Sequence, residues 1–128
     1  MEWSFRNDLP IYSQLVERIK LGIVTGELPP GARLPSVREL AAEAGVNPNT
    51  MQRALTELER YGLVFTQRTA GRFVTEDVAV IDGCKTAMAE SRLADFIAAM
   101  EKLGYDRAGI AALLTGTKEE NQYADTGM

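Results

Sequence analysis

Residues 40–55 read LAAEAGVNPNTMQRAL, and this stretch is the strongest structural signal in the sequence. Gly45 separates two runs of apolar residues with helical spacing, so the stretch predicts two helices joined by a tight turn, a helix-turn-helix. Asn47 suits the N-cap of the second helix, and Pro48 suits its first position, where a missing N–H costs nothing. The side chains that we expect to fix the helix crossing are apolar: Leu40, Val46, Met51, Leu55 and Leu58.

The opposite face of the second helix carries polar side chains. They are Asn49, Thr50, Gln52, Arg53 and Glu57. Asn, Gln and Arg have the donor and acceptor geometry that reads base edges in the major groove of DNA, and the first turn of a recognition helix points into that groove. A helical hairpin with a solvated polar face would explain the same residues, so both interpretations stay open on this stretch alone.

Sequence on both sides of this stretch extends the pattern. Four apolar residues at a spacing of four predict a helix over residues 11–25: Ile11, Leu15, Ile19 and Ile23. Pro30 and Gly31 suit the centre of a type II turn, Leu34 is expected to anchor a very short strand, and Ser36 with Glu39 forms a capping box. Downstream, residues 63–67 and 72–75 read as two strands of a hairpin.

The hairpin turn is basic. Arg68 and Arg72 flank it, and Thr69 and Gly71 lie within it. A basic two-stranded wing after a helix-turn-helix is typical of a winged helix that grips a neighbouring groove of DNA. Taken alone, the two arginines would be read as ordinary surface charge.

Composition argues against catalysis. The chain of 128 residues has no histidine and a single cysteine, Cys84, so the commonest general base and zinc ligand is missing and no metal site, cofactor or catalytic residue is expected. The sequence also has neither a secretory signal nor an apolar run long enough to span a membrane, which favours a cytoplasmic protein.

Charge is unevenly distributed along the chain. Residues 1–76 contain nine Lys and Arg and nine Asp and Glu, so the net charge of −4 comes entirely from residues 77–128. DNA binding requires a local basic face rather than a basic protein, so the first half remains compatible with it. The acidic second half keeps open an alternative function, a protein-interaction module that has lost DNA binding.

The second half predicts helices without strands. A long amphipathic helix, with Gly83 as a weak point, should carry an apolar stripe that is too large for a small winged helix to cover; we expect a second copy of the chain to cover it. The alternative is that this helix folds back on the first helix as monomeric core. The residues of the stripe expected in dimerisation are Ile81, Met88, Phe96, Ile97, Met100 and Leu103.

The sequence from about Pro10 to Thr75 resembles the GntR family of bacterial winged-helix regulators. The most specific piece is GELPPGARLPSVREL at residues 26–40. The resemblance implies a mainly helical fold with a small β-hairpin and a sequence-specific DNA-binding function. It also implies DNA contacts by Arg38, by the polar residues that open the recognition helix, and by the wing tip. The full set of expected contacts is Arg38, Asn47, Asn49, Thr50, Gln52, Arg53, Arg68, Thr69, Gly71 and Arg72.

Two of these assignments keep an alternative: Arg38 could pair with Glu39 or Glu43, and Thr50 could be a capping group. Some relatives carry arginine where this chain has Pro48, so the preferred operator sequence stays open. The polar helix start and the short second half resemble the YtrA-type subfamily, in which a two-helix tail dimerises and members often repress transporter operons.

We therefore expect a winged helix-turn-helix domain over residues 1–76, a helical dimerisation region over 77–115 and a disordered tail over 116–128. The expected partners are a second copy of the chain and an inverted-repeat operator in double-stranded DNA. A small-molecule effector stays unknown: the short tail offers little volume for a ligand pocket, which typically measures ~300 Å³ or more, and a small ligand at the dimer interface is the alternative left open.

Overall fold

The computed structural model describes the backbone of residues 1–125 and the side chains of residues 1–116. The chain forms two compact units, Met1–Thr86 and Ala87–Met128. The first unit has the order helix, helix, helix, hairpin, and the long fourth helix begins within it. The elements are α1 (Ile11–Thr25), α2 (Val37–Ala44), α3 (Pro48–Arg60), β1 (Val64–Gln67), β2 (Gly71–Val74), α4 (Val78–Lys102) and α5 (Arg107–Asp125).

The helix ends follow the local sequence. Ser36 and Glu39 form the predicted capping box at the start of α2, where each side chain satisfies a backbone N–H of the other. Gly45 ends α2 with a φ of +72°, in the left-handed region that glycine adopts at no steric cost. Asn47 then begins α3, because its Oδ1 accepts a hydrogen bond from the N–H of Asn49 at 2.7 Å.

Apolar side chains of the first four helices and the hairpin form one core. The predicted stripe on α3 is fully buried, and α1 contributes three of the four residues expected of it. Ile11 is the exception: it is the first residue of α1 and lies exposed, beyond the neighbours that cover the rest of the stripe. The principal core residues are Leu15, Ile19, Ile23, Leu40, Met51, Leu55, Leu58, Leu63 and Val74.

The wing is a two-stranded antiparallel hairpin in which Val64 pairs with Val74 and Thr66 with Arg72. The predicted type II turn precedes it along the chain: Gly31 has a φ of +77°, and the N–H of Ala32 donates to Pro29 at 3.0 Å. The expected short strand at Leu34 is reduced to a single bridge between Arg33 and Phe73.

The second unit contains the end of α4 and all of α5. The helix α4 passes through Gly83, the expected weak point, without interruption. In the second unit Ile110 is buried, whereas several leucines and a phenylalanine on the same helices are exposed. Asp106 caps α5, because its Oδ1 accepts from the N–H of Gly109 at 2.8 Å.

The backbone of α5 continues beyond residue 115, where the helical region was expected to end, and runs to Asp125. The sequence predicts a disordered tail over residues 116–128. The last three of these residues, 126–128, lie outside the described part of the chain. The disorder of the tail stays a prediction. No helix within residues 1–125 combines the length and apolar character needed to cross a membrane.

Candidate nucleic-acid interface

The outer face of α3 is polar and accessible. Asn49, Gln52 and Arg53 are exposed, and Thr50 is half-buried in the first turn of the helix. Asn47 is exposed too, but its side-chain oxygen is engaged in the N-cap, so its amide NH₂ is the group that remains for an outside partner. The first turn of α3 therefore presents hydrogen-bonding groups at an end where the helix dipole is positive.

Two of these side chains are held by neighbours. The Gln52 amide donates to Thr56 Oγ1 at 3.2 Å, and the Arg53 guanidinium lies over the ring of Tyr12 on α1, 4.1 Å from its centroid. A cation over an aromatic face is attracted by the ring quadrupole, which limits the conformations of a long flexible side chain. Tyr12 thus orients Arg53, a contact that sequence reasoning did not anticipate.

Arg38 lies exposed in the first turn of α2. The two carboxylates that could have paired with it are used elsewhere: Glu39 caps the helix, and Glu43 accepts from the Met1 amino group at 3.1 Å and from Trp3 at 3.2 Å. The amino group and Trp3 together lower the pKa of Glu43 below its usual 4.5. No ion pair among the described residues includes Arg38, so its charge is uncompensated there.

The wing residues that were expected to contact DNA fall into two groups. Arg68 and Thr69 are exposed at the turn, and Gly71 has a φ of +105°, a conformation that disfavours any other residue. Arg72, in contrast, is largely buried and donates from Nε to Glu59 of α3 at 2.8 Å. Arg72 therefore braces the wing against α3 through its Nε, and the predicted contact of its guanidinium with DNA stays a prediction.

The register of the two strands explains the contact between the wing and α3. Thr66 and Arg72 are cross-strand partners, and both donate to the carboxylate of Glu59. Partial burial by itself would raise the pKa of Glu59, but the hydrogen bonds from Thr66 and Arg72 outweigh it and hold the pKa below 4.5. The ionised carboxylate is therefore the form that joins the wing to the recognition helix.

Glu59→Gln should lower the melting temperature at neutral pH. It should also reduce the change of melting temperature with pH in the acid range. A carboxyl whose pKa is depressed on folding contributes stability above its unfolded pKa, near 4.5, and this contribution is lost as the pH falls through the lower folded value. Thermal unfolding followed by circular dichroism at a series of pH values measures both effects. The difference in melting temperature between wild type and variant should narrow below pH 4.5. A difference that stays constant over the pH series would contradict this role for Glu59.

A groove of about 730 Å³ lies between the start of α2 and the wing. Its lining is rich in arginine and includes Arg33, which sequence reasoning missed. The only hint of it in the sequence was its place next to Leu34, the residue expected to form a short strand. The charged residues of the lining are Arg33, Arg38, Glu39, Arg68 and Arg72.

The residues expected in dimerisation differ in exposure according to where they lie along the chain. Ile81 is buried in the core of the first unit, because it lies in the first turns of α4, and it is not available to a second chain. Met88, Ile97 and Met100 are half-buried within the single chain. Phe96 and Leu103 are exposed by 42% and 73%, and Leu93, which was not predicted, is exposed by 55%.

Comparisons with known proteins agree with this geometry. The family model described as "Bacterial regulatory proteins, gntR family" matches residues 11–74, from the start of α1 to the end of β2. The uncharacterized HTH-type transcriptional regulator YhcF of Bacillus subtilis is 41% identical over 104 residues, 81% of this chain and 86% of YhcF. The HTH-type transcriptional repressor YtrA of the same species is 39% identical over 88 residues, 69% of this chain and 63% of YtrA.

Solved structures show the same fold. A GntR family transcriptional regulator from Listeria monocytogenes superimposes with a TM-score of 0.81 at 40% identity, covering 88% of this chain and 98% of that one. AraR(DBD) in complex with operator ORX1 superimposes with a TM-score of 0.54 at 30% identity, covering 59% of this chain and 96% of AraR(DBD). The chain belongs to the GntR family of bacterial regulatory proteins, and it is a DNA-binding transcription regulator rather than an enzyme.

Proposed function

We propose that this regulator is a homodimeric repressor that binds an inverted-repeat operator through α3, Arg38 and the tip of the wing. The observation that carries the proposal is the exposed polar face of α3, flanked by a groove whose arginines Arg33, Arg38 and Arg68 have no carboxylate partner among residues 1–116. An operator-bound structure is known for the related AraR(DBD).

In this proposal α3 enters the major groove with its first turn. Asn49 and Gln52 offer amide groups for base edges, and Arg53, held over Tyr12, extends the basic surface. The exposed wing residues Arg68 and Thr69 then reach the neighbouring backbone or groove. Phosphate contacts supply most of the affinity in such an interface, so binding should fall steeply with salt.

Dimerisation is inferred from the pattern of exposed apolar side chains in the second unit. Leu93, Phe96, Met100 and Leu103 follow one another at spacings of three, four and three residues. This is the a and d spacing of a coiled coil, and it places Leu93, Phe96 and Met100 within about 60° of one another around α4. Leu103 follows in the turn just after α4 ends at Lys102. Leu93, Phe96 and Leu103 are the exposed members. A matching stripe on a second copy would remove them from water.

The two-fold symmetry of the proposed dimer determines the form of the operator that it reads. Two copies related by a two-fold axis present two recognition helices to successive major grooves, so the site they read is an inverted repeat. The relative YtrA is a transcriptional repressor, which favours repression here. We further propose that the protein acts in the cytoplasm, where the bacterial chromosome lies, and that a transporter operon is its target.

Sequence selection tests the proposal. Wild-type protein is incubated with a pool of random duplexes and, separately, with sheared genomic DNA, and the bound fragments are sequenced. The expected result is one inverted repeat in the random pool and the same repeat upstream of a small number of genes. Recovery of fragments without a common sequence would show that the winged helix does not act as a specific repressor.

Arg38→Ala should weaken binding of the selected duplex by about tenfold, because losing a charged DNA contact typically costs 1–3 kcal/mol. Arg38 is exposed and has no carboxylate partner among the described residues, so its loss should leave the fold intact. Fluorescence anisotropy with the selected duplex measures the affinity, and thermal unfolding checks the fold.

The matched control is Arg60→Ala. Arg60 is an exposed arginine at the far end of α3, about 18 Å along the helix from Pro48 by the rise of 1.5 Å per residue. Arg60→Ala removes the same formal charge at a position that we do not assign to DNA, although Arg60, unlike Arg38, is paired with a carboxylate, that of Glu57. The affinity of this variant should stay near that of wild type. Equal losses in the two variants would mean that Arg38 acts through net charge alone.

A further inference from the structure

We propose that Arg33 is a further DNA contact, and that its guanidinium binds a phosphate of the strand that runs along the groove between α2 and the wing. The inference rests on the proposed function, since it places DNA on α3 and the wing. Arg33 lies outside both the recognition helix and the wing turn, which is why neither motif points to it.

The backbone around Arg33 is fixed to the wing. Arg33 bridges Phe73 of β2, the N–H of Leu34 donates to Arg72 at 2.9 Å, and the N–H of Val74 donates to Ala32 at 2.9 Å. Residues 32–34 therefore run beside β2 as a third, strand-like segment. Because hydrogen bonds on both sides of Arg33 hold this segment, the side chain starts from a defined position rather than from a free loop.

The side chain of Arg33 lies against the glycine of the wing. A Cβ on Gly71 would stand 3.1 Å from Arg33 Nε and 3.5 Å from one of its terminal nitrogens. The distance to Nε is shorter than an ordinary van der Waals contact. The absence of a side chain at Gly71 thus leaves the space that the Arg33 guanidinium uses. Arg33 itself is exposed and lines the groove together with Arg38 and Arg68.

The charges of the groove are not balanced. Of the four arginines in its lining, Arg72 is paired with Glu59, while Arg33, Arg38 and Arg68 have no ion pair among residues 1–116. The one carboxylate in the lining is that of Glu39, which accepts a hydrogen bond from the Ser36 N–H within the capping box of α2. Three uncompensated cations in one open groove suit a chain of phosphates.

We assign Arg33 to phosphate rather than to a base for a structural reason. Base edges are read by the element that enters the major groove, which is α3 here, whereas arginines beside that element contact the backbone and set its register. A phosphate contact carries no sequence information. Its loss therefore weakens binding equally on any duplex and lowers the dependence of affinity on salt.

The test compares wild type with Arg33→Ala, Arg33→Gln and Arg33→Lys. The guanidinium is the part of Arg33 that lies against Gly71. Gln keeps most of the side-chain length with a polar end and removes the charge, so it separates the charge from the bulk of the side chain; Lys keeps the charge. The probes are a duplex that wild-type protein has selected from a random pool and a scrambled duplex of equal length and composition. Anisotropy titrations at several salt concentrations give the affinity and the slope of log affinity against log salt, and thermal unfolding checks each variant.

We expect Arg33→Ala and Arg33→Gln to bind both duplexes about tenfold more weakly, with a salt slope smaller by about 0.9, the value for one lost phosphate contact. Arg33→Lys should keep the wild-type slope. A neutral variant with wild-type affinity and slope, or a loss confined to the selected duplex, would overturn the phosphate contact alone. A wild-type protein that selects no duplex would overturn the proposed function and this contact with it.

Discussion

Phe96→Asp should convert the proposed dimer into a monomer and lower the protein's affinity for an inverted-repeat operator by about 100-fold or more, the advantage that two linked binding sites give over one. Phe96 stands in the middle of the three-four-three stripe of α4 and is already 42% exposed in the single chain. The aspartate therefore meets water in the monomer, whereas in the dimer it would place an unpaired charge inside an apolar interface. The fold of each chain should survive while the interface fails.

Ala98→Asp is the matched control for this experiment. Ala98 is exposed and follows Phe96 by two residues, so it lies about 200° away around α4, on the side opposite the stripe. It introduces the same charge into the same helix and should leave a dimer. Analytical ultracentrifugation at micromolar protein gives the mass of each variant, and anisotropy gives its affinity for the selected duplex. A monomeric Phe96→Asp that binds the full repeat as tightly as wild type would refute the need for two copies.

The parts of the fold that were predictable depend on short-range chemistry. The ends of α1, α2 and α3 are set by residues that cap a helix or stop it within one turn, such as Ser36, Gly45 and Asn47. The core face of α3 follows from a spacing that only a helix brings to one side. Such signals lie within a few residues of the structure they specify, so one sequence suffices to read them.

The parts that were not predictable depend on contacts between distant segments. The pairing of Arg72 was not foreseen because its partner, Glu59, lies thirteen residues earlier in the chain, and only the hairpin register brings the two together. Arg33 was overlooked because its bridge to Phe73 and its packing on Gly71 arise from the path of a loop. Ile81 was assigned to the dimer because the sequence pattern cannot say which turns of α4 the first unit covers.

Leu55→Ala should destabilise the protein by about 2–5 kcal/mol, the range for deleting a buried leucine side chain without full collapse of the cavity. Leu55 is fully buried on α3, in the seam where the recognition helix packs on the rest of the first unit. Urea unfolding followed by circular dichroism measures the loss. Leu9→Ala is the matched control, since Leu9 is an exposed leucine before α1 and its truncation should change stability by less than about 0.5 kcal/mol.

The same variant separates the two faces of α3. Leu55 does not reach the polar face, so at a temperature where Leu55→Ala is folded its salt slope on the selected duplex should equal that of wild type, because every phosphate contact remains. Its affinity should fall only in proportion to the unfolded fraction, as expected when a ligand binds the native state alone. A smaller salt slope in the folded variant would mean that the buried seam sets the position of the DNA-contacting groups as well as the stability of the helix that carries them.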